Sequence, residues 1–473
     1  MIKFIYILFF SFFYLLHTLY SQNIQNIGNN ISANLNHTLS PSDHIQPHHN
    51  LKAAALLVYL SELKKSNSGN CLSGQAIGAN GNVVNEKNNF QDYVVKLDQQ
   101  TGHRPAVLEY GVTKLNGGQL TAAERETRLS EIKVRSNEGH LIYLGMRPSN
   151  PTGVPLNADI TTPEFYINNS REIVEPDGKY YNTYRSTLEY ISTFIQSLQD
   201  AGIVVLLEVF NEFNGQWNWF GNQTPEEFKK LYRYTHDYFN KERKFTNLIY
   251  VLEFSGIRTN VEGIPVSQYY PGDEYVDLIG FDFYEDDPQN KYVDVYNQIL
   301  AFGKPVALTE FGPDNRKYKI DNKIELSKYV NFRWDNMVQV NFTKTYYPKI
   351  CFFIRWQADW AVVNQNNAKS FMEESLWIHL DTYKNDSLAL EALSVTQNNE
   401  LKIIPNPTQG VLNIELHDRE KATIIKILNI RGELVHKELI NLQSNFHQID
   451  LSFAPKGLYI LKYANKAQKF VIH

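Results

Sequence analysis

Residues 206–221 read LLEVFNEFNGQWNWFG, an apolar run that stops at Asn211-Glu212 and is followed at once by Phe213, Trp217, Trp219 and Phe220. A second apolar run, KPVALTEF at 304–311, delivers Glu310 in the same manner. Two carboxyl groups at the ends of apolar strands are the equipment for cleaving a glycosidic bond. One protonates the leaving oxygen and later activates water, and the other, held ionised, attacks the anomeric carbon in a retaining enzyme. Retention requires the two to lie about 5–5.5 Å apart. Asn211 is suited to hydrogen-bond a sugar hydroxyl near the reacting carbon. Tyr284 is suited to donate to Glu310 and keep it charged. Trp217, Trp219, Phe220 and Trp356 are candidate platforms for the apolar faces of sugar rings, although aromatic side chains are also frequent in cores. Arg147 brings a fixed cation to a strand end of its own.

These residues need a frame that gathers strand ends. Eight short apolar runs supply it, at 71–78, 105–113, 140–147, 203–212, 247–254, 276–284, 304–311 and 350–357. Helix-period segments lie between most of them. Phe90, Tyr93, Val94 and Leu97 share one face, and so do Leu188, Ile191, Ile195 and Leu198. Thr224-Pro225-Glu226-Glu227 reads as a capping box with proline at the first helical position, ahead of Phe228, Leu231, Tyr232 and Phe239. Strands alternating with helices over this length predict an α/β fold, a (β/α)8 TIM barrel, with an open doubly wound sheet as the alternative. In such a barrel the strand C-termini meet at one rim, so Glu212 and Glu310 converge although they are far apart in sequence.

The flanks differ in character. Lys3, the apolar stretch Phe4 to Leu16 and Ser21 before Gln22 read as a signal peptide over residues 1–21. The stretch is too short for a spanning helix, which needs ~20 apolar residues. Residues 22–50 form a polar, flexible leader whose His37, His44, His48 and His49 lack a metal-site pattern. The barrel is expected over 51–385, a linker over 386–400, and a small C-terminal β-sandwich over 401–473. In that sandwich Phe446, Phe453, Tyr459, Tyr463 and Phe470 are spaced as core residues. The net charge of −5 argues against a nucleic-acid partner. No metal site is expected, because neither HExxH nor an EF-hand pattern occurs. No GxGxxG or GxxxxGKS follows a strand, so no nucleotide cofactor is expected. Cys71 and Cys351 are either two buried thiols or a single bridge.

Over roughly residues 50 to 385 the chain resembles glycoside hydrolase family 26, a retaining barrel family best known for endo-β-1,4-mannanases. The resemblance rests on NEFNGQWNWFG at 211–221, YYPGDEYVDLIGFDFYE at 269–285, KPVALTEFG at 304–312 and FFIRWQADW at 352–360. CLSGQ at 71–75 and TGHRPAVLEYG at 101–111 add to it. It implies Glu212 as general acid/base, Glu310 as nucleophile, Tyr284 beside the nucleophile and Trp356 as a sugar platform. It also implies a β-1,4-mannan substrate, with β-1,3-xylan or mixed-linkage β-glucan as alternatives. A non-catalytic polysaccharide-binding protein is the reading from another class. The chain departs from the family pattern at Asn211, where His is usual, and at Glu208-Val209, where Arg-Pro is usual. Met146 and Arg147 stand where Trp-His is usual, which raises the expectation of an anionic or differently substituted sugar near Arg147. The segments IIPNPTQGVLNI at 403–414, LNIRGELV at 428–435 and LSFAPKGLYILKY at 451–463 resemble the C-terminal sorting domain of type IX secretion substrates. That implies export to the cell surface or medium and a secretion machinery as partner.

Overall fold

The computed structural model describes residues 46, 49–65, 70–78, 89–114, 117–156, 158–256, 264–284, 292–312, 319–320, 323–324, 347, 349–365 and 368–384 of a first unit. It describes residues 402–405, 408–415, 423–429, 434–440, 446–463 and 466–472 of a second. The division falls between Leu390 and Glu391. The expected signal peptide and linker, and most of the expected leader, lie outside the described residues.

Among the described residues, eight parallel strands form the barrel of the first unit. They are β1 (Gly74–Gly78), β2 (Val107–Gly111), β3 (Leu141–Gly145), β4 (Val205–Glu208), β5 (Leu248–Ser255), β6 (Leu278–Tyr284), β7 (Val306–Gly312) and β8 (Ile350–Arg355). Each pairs with the next in sequence, and β8 pairs with both β7 and β1. The sheet is therefore closed, and the doubly wound alternative is excluded. The run expected as one strand at 71–78 breaks at Ser73, leaving Cys71–Leu72 as a separate short segment beside β8. Cys71 and Cys351 are buried free thiols.

The helices follow from their apolar faces. They are α1 (Leu51–Lys65), α2 (Lys96–Thr101), α3 (Ala122–Asn137), α4 (Arg171–Val174), α5 (Tyr181–Asp200), α6 (Pro225–Asp237), α7 (Val293–Leu300) and α8 (Ala368–Met372). Leu188, Ile191, Ile195 and Leu198 of α5 are all buried, as their spacing requires. Thr224 caps α6 by accepting from the Glu227 N–H. The second half of the expected capping box is absent: the Glu227 carboxylate accepts from Ser170 instead, which ties α6 to the start of α4. A full capping box occurs at α3, between Thr121 and Glu124.

Period-2 alternation divides each strand between two cores. Outward residues such as Leu108, Ile142, Leu207, Leu252 and Phe281 pack with the helices. Inward residues such as Val107, Leu141, Leu206, Ile249 and Leu278 pack with each other and with Ala53, Leu56, Leu57 and Leu60 of α1. This helix thus fills the N-terminal mouth. His49 and Asn50, expected at the end of a solvated leader, belong to this plug: His49 Nε2 lies 3.2 Å from the buried Asp277 carboxylate, and Asn50 Oδ1 accepts from the Ala53 N–H of α1. With the N-terminal mouth filled, chemistry is left to the C-terminal rim.

The second unit is a small β domain. Strands β9 (Lys402–Ile404), β10 (Val411–Glu415) and β13 (Phe446–Asp450) form one antiparallel sheet. Strands β11 (Thr423–Asn429), β12 (Leu434–Ile440), β14 (Gly457–Tyr463) and β15 (Lys466–Ile472) form the other. Leu412, Ile414, Ile425, Ile427, Ile449, Leu461 and Phe470 make the shared core. Tyr459 and Phe470 are buried as expected, but Phe453 is 67% exposed, because it follows β13 in a turn instead of facing the core.

Candidate active site

Strand β4 ends at Glu208, four residues before the expected end, so Asn211 and Glu212 lie on the turn beyond it. Glu212 takes φ 44°, in the left-handed region that costs a non-glycine residue about 1 kcal/mol or more. Its carbonyl accepts from the Gly215 N–H at 2.7 Å, and two further bonds involve the rim. Its backbone N–H donates to Glu253 Oε2 at 3.1 Å, and its carboxylate accepts from Trp217 Nε1 at 2.7 Å. Gly215 makes room for that indole, since a Cβ there would stand 2.3 Å from the Trp217 ring.

Glu310 reaches the same rim by another device. In β7 the residues Val306 to Leu308 alternate regularly against β6, with Leu308 opposite Phe281. The next partner of β6, Asp282, faces Glu310, so Thr309 is an extra residue. This bulge resets the alternation and turns Glu310 to the inside. Three side chains then converge on it. Tyr284 Oη donates to Oε2 at 3.0 Å, Asn211 Nδ2 donates to Oε1 at 3.1 Å, and Arg147 Nη2 lies 3.4 Å from Oε1. Burial pushes the Glu310 carboxyl well above its ordinary range and the Glu253 charge adds to this, while Arg147 and Tyr284 oppose it. Burial, reinforced by Glu310, also raises the Tyr284 phenol, which stays a donor.

The rim therefore brings together Arg147, Asn211, Glu212, Tyr284 and Glu310, with Trp217 attached through Glu212. Trp356 joins them, its ring centroid 5.9 Å from the Arg147 guanidinium carbon. Trp217 and Trp356 both keep part of their surface open. Trp219 and Phe220 do not, as both are fully buried. Trp219 Nε1 donates to the Pro148 carbonyl and its ring packs on Tyr184 and Phe220, so it anchors the loop and is not a sugar platform. Asn150, two residues beyond Pro148, is likewise buried, donating to the Phe165 carbonyl.

Below the rim lie further carboxyl groups. Glu109 of β2, Glu208 of β4, Glu253 of β5 and Asp282 of β6 are all at most 3% exposed. Tyr143 Oη donates to Glu208 Oε2 at 2.9 Å. Burial, with Glu109 and Glu310 nearby, pushes Glu208 up to about 8. Burial and Glu208 raise Glu253 well above its usual range, and burial and Glu212 do the same for Asp282. Glu208 therefore keeps its proton near neutrality, and ionising its neighbours is disfavoured, because a carboxylate taken out of water is costly even with Arg147 in the same interior. The sequence held a signal for them. VLE at 107–109, LLE at 206–208 and VLE at 251–253 repeat an inward-outward-inward pattern that closes on glutamate. Among the described residues, no group of His, Cys, Asp and Glu is arranged to hold a metal ion.

A closed parallel barrel with opposed carboxylates on the turns after β4 and in β7 has the layout of a barrel glycosidase. The chain belongs to glycosyl hydrolase family 26, whose model matches residues 45–378. Residues 402–473 match the secretion system C-terminal sorting domain. Mannan endo-1,4-β-mannosidase A and B of Caldalkalibacillus mannanilyticus is 28% identical over 243 residues, covering 48% of this chain and 44% of that protein. A mannan endo-1,4-β-mannosidase of Bacillus subtilis is 25% identical over 354 residues, 72% of this chain and 88% of that protein. The chain spans about half the length or less of the first curated relatives it matches. Among solved structures, the Bacillus subtilis mannanase BCman superposes with a TM-score of 0.57 at 22% identity, over 71% of this chain and 94% of that one. A β-mannanase from a symbiotic protist of the termite Reticulitermes speratus gives 0.54 at 23% identity, over 72% and 96%. These likenesses establish the barrel fold.

Proposed function

We propose that the chain is an exported retaining endo-β-glycosidase whose substrate is β-1,4-mannan. The observation that carries this reading is the contrast between its two rim carboxyls. Glu310 is buried and gathers donors from three strands or strand ends, the environment of a nucleophile that must be held in one orientation and be ionised to attack. Glu212 stands on a partly open turn with its carboxylate accepting from the Trp217 indole, the environment of a group that exchanges protons with substrate and water. Glu310 attacks the anomeric carbon while Glu212 protonates the glycosidic oxygen. Glu212 then takes a proton from water, which releases the sugar from Glu310. Trp356 offers a face for the sugar ring, and Trp217 orients Glu212. The mannan assignment is supported by the similarity to mannan endo-1,4-β-mannosidases.

Export is supported by the sorting domain at 402–473. We read Lys3 and the apolar stretch Phe4 to Leu16 as a signal peptide for the first membrane, followed by type IX export across the second. The test is reducing-sugar release by the purified chain from mannan, glucomannan, β-1,3-xylan and lichenan, with the anomer of the first product followed by NMR. Release from mannan with retained configuration, abolished in Glu212→Ala and Glu310→Ala, is expected. Full activity in Glu310→Ala, or an inverted product, refutes the mechanism. Activity confined to xylan or lichenan refutes the substrate.

A further inference from the structure

One interior carboxyl has a place that the double displacement does not require. Glu253 Oε2 accepts two N–H donors, the Glu212 backbone at 3.1 Å and Asn211 Nδ2 at 2.9 Å. The same Asn211 nitrogen donates to Glu310 Oε1 at 3.1 Å. A single oxygen on β5 therefore ties the backbone of one rim carboxyl to the amide that orients the other. It also holds the left-handed turn at Glu212, whose φ is 44°. Space for the side chain is provided by β6, where a Cβ on Gly280 would stand 3.1 Å from the Glu253 Cβ. The contact is out of solvent on every side, with Glu253 fully buried and Asn211 2% exposed.

We propose that Glu253 is a positioning residue that sets Glu212 and Glu310 in mutual register by accepting hydrogen bonds from the turn after β4. It touches no substrate. This rests on the reading of Glu212 and Glu310 as the reacting pair. Glu208, Glu109, Asp282, Glu212 and Glu310 face the same interior, Thr309 and Glu208 lie within hydrogen-bonding reach of the Glu253 carboxyl, and Arg147 lies against Glu310. The contact needs one acceptor oxygen facing both N–H groups, so a carboxamide reproduces it and a hydrocarbon does not.

The full chain with Glu253→Gln and with Glu253→Leu is assayed on mannan, alongside Glu212→Ala and Glu310→Ala. Glu253→Gln is expected to keep kcat within about threefold. Glu253→Leu is expected to lose about 100-fold in kcat with KM changed by less than about threefold, the scale at which misplaced reacting groups cost rate. Glu253→Ser, too short to reach either donor, is expected to behave as Glu253→Leu and replaces it if a melting curve shows that the leucine variant is unfolded. Wild-type kcat in the leucine or serine variant overturns the proposal. So does a glutamine variant as slow as they are, since charge and not acceptance would then be what matters. Activity retained in Glu212→Ala or Glu310→Ala overturns the underlying site assignment, a result distinct from a flat Glu253 series.

Discussion

Replacing Arg147 by methionine removes the cation beside Glu310 while keeping most of the side-chain bulk. The guanidinium Nη2 lies 3.4 Å from Glu310 Oε1, with 20% of the Arg147 side chain exposed and 4% of that of Glu310. At that distance a pair of charges interacts by about 5 kcal/mol with an effective dielectric of ~20. Water at the open side of the guanidinium roughly halves this, to about 2.5 kcal/mol. Losing that interaction moves the Glu310 pKa further up. The sign follows from what attack requires. Glu310 must be ionised, activity is lost as pH falls through its pKa, and removing a cation raises that pKa. The acid limb of kcat/KM, measured against pH on a soluble manno-oligosaccharide, is therefore expected to move to higher pH. A limb displaced by less than about 0.3 unit would refute the electrostatic role. The measurement also bears on the expectation of an anionic sugar. Arg147 is engaged with a carboxylate of its own chain and surrounded by others, so a negatively charged substrate gains little from it.

Other consequences separate the two tryptophans, the phenol and the buried histidine. Trp217→Phe deletes the donor to Glu212, and is expected to lower kcat while leaving the melting temperature nearly unchanged. Trp219→Ala empties a fully buried site, and is expected to cost about 3–5 kcal/mol of stability in a denaturant titration. Tyr284→Phe removes a donor from ionised Glu310, and is expected to move the acid limb of kcat/KM upward, in the same direction as Arg147→Met. His140 is buried and bonded to the Pro105 carbonyl, and burial lowers its pKa to about 3. It stays neutral in the fold and takes up a proton on unfolding, so stability is expected to fall as pH drops from about 6.5 towards 3, by up to about 4 kcal/mol. Thermal melts across that range should show a shallower decline in His140→Leu.

The barrel was legible because its signals are local. Apolar runs such as NLIYVLEF and helix faces such as Leu188, Ile191, Ile195 and Leu198 report burial within a few residues of themselves. The rim glutamates were legible for the same reason, each closing an apolar run. The loop at 213–221 was not. Trp217 and Trp219 are two residues apart in a segment without regular period, and no local rule says which faces solvent. Packing of α5 decides it, by placing Tyr184 against Trp219. Phe453 illustrates the converse, since aromatic spacing suggested a core position that the turn after β13 carries outward. Glu253 was not singled out, because its role depends on Asn211 and the Glu212 backbone being brought beside it from the turn after β4.

The sequence by itself determined the alternation of strands and helices, the family and the two carboxyls destined for one rim. These depend on composition and period along the chain. Only the tertiary structure decided which way Glu310 points, because inward and outward are relations between strands. The extra residue at Thr309 is defined by what stands opposite it in β6. It likewise decided which carboxyls carry protons, since the pKa values of Glu208, Glu253 and Glu310 depend on each other across strands distant in sequence. The chemistry at the mouth is set by those distances, which no local pattern encodes.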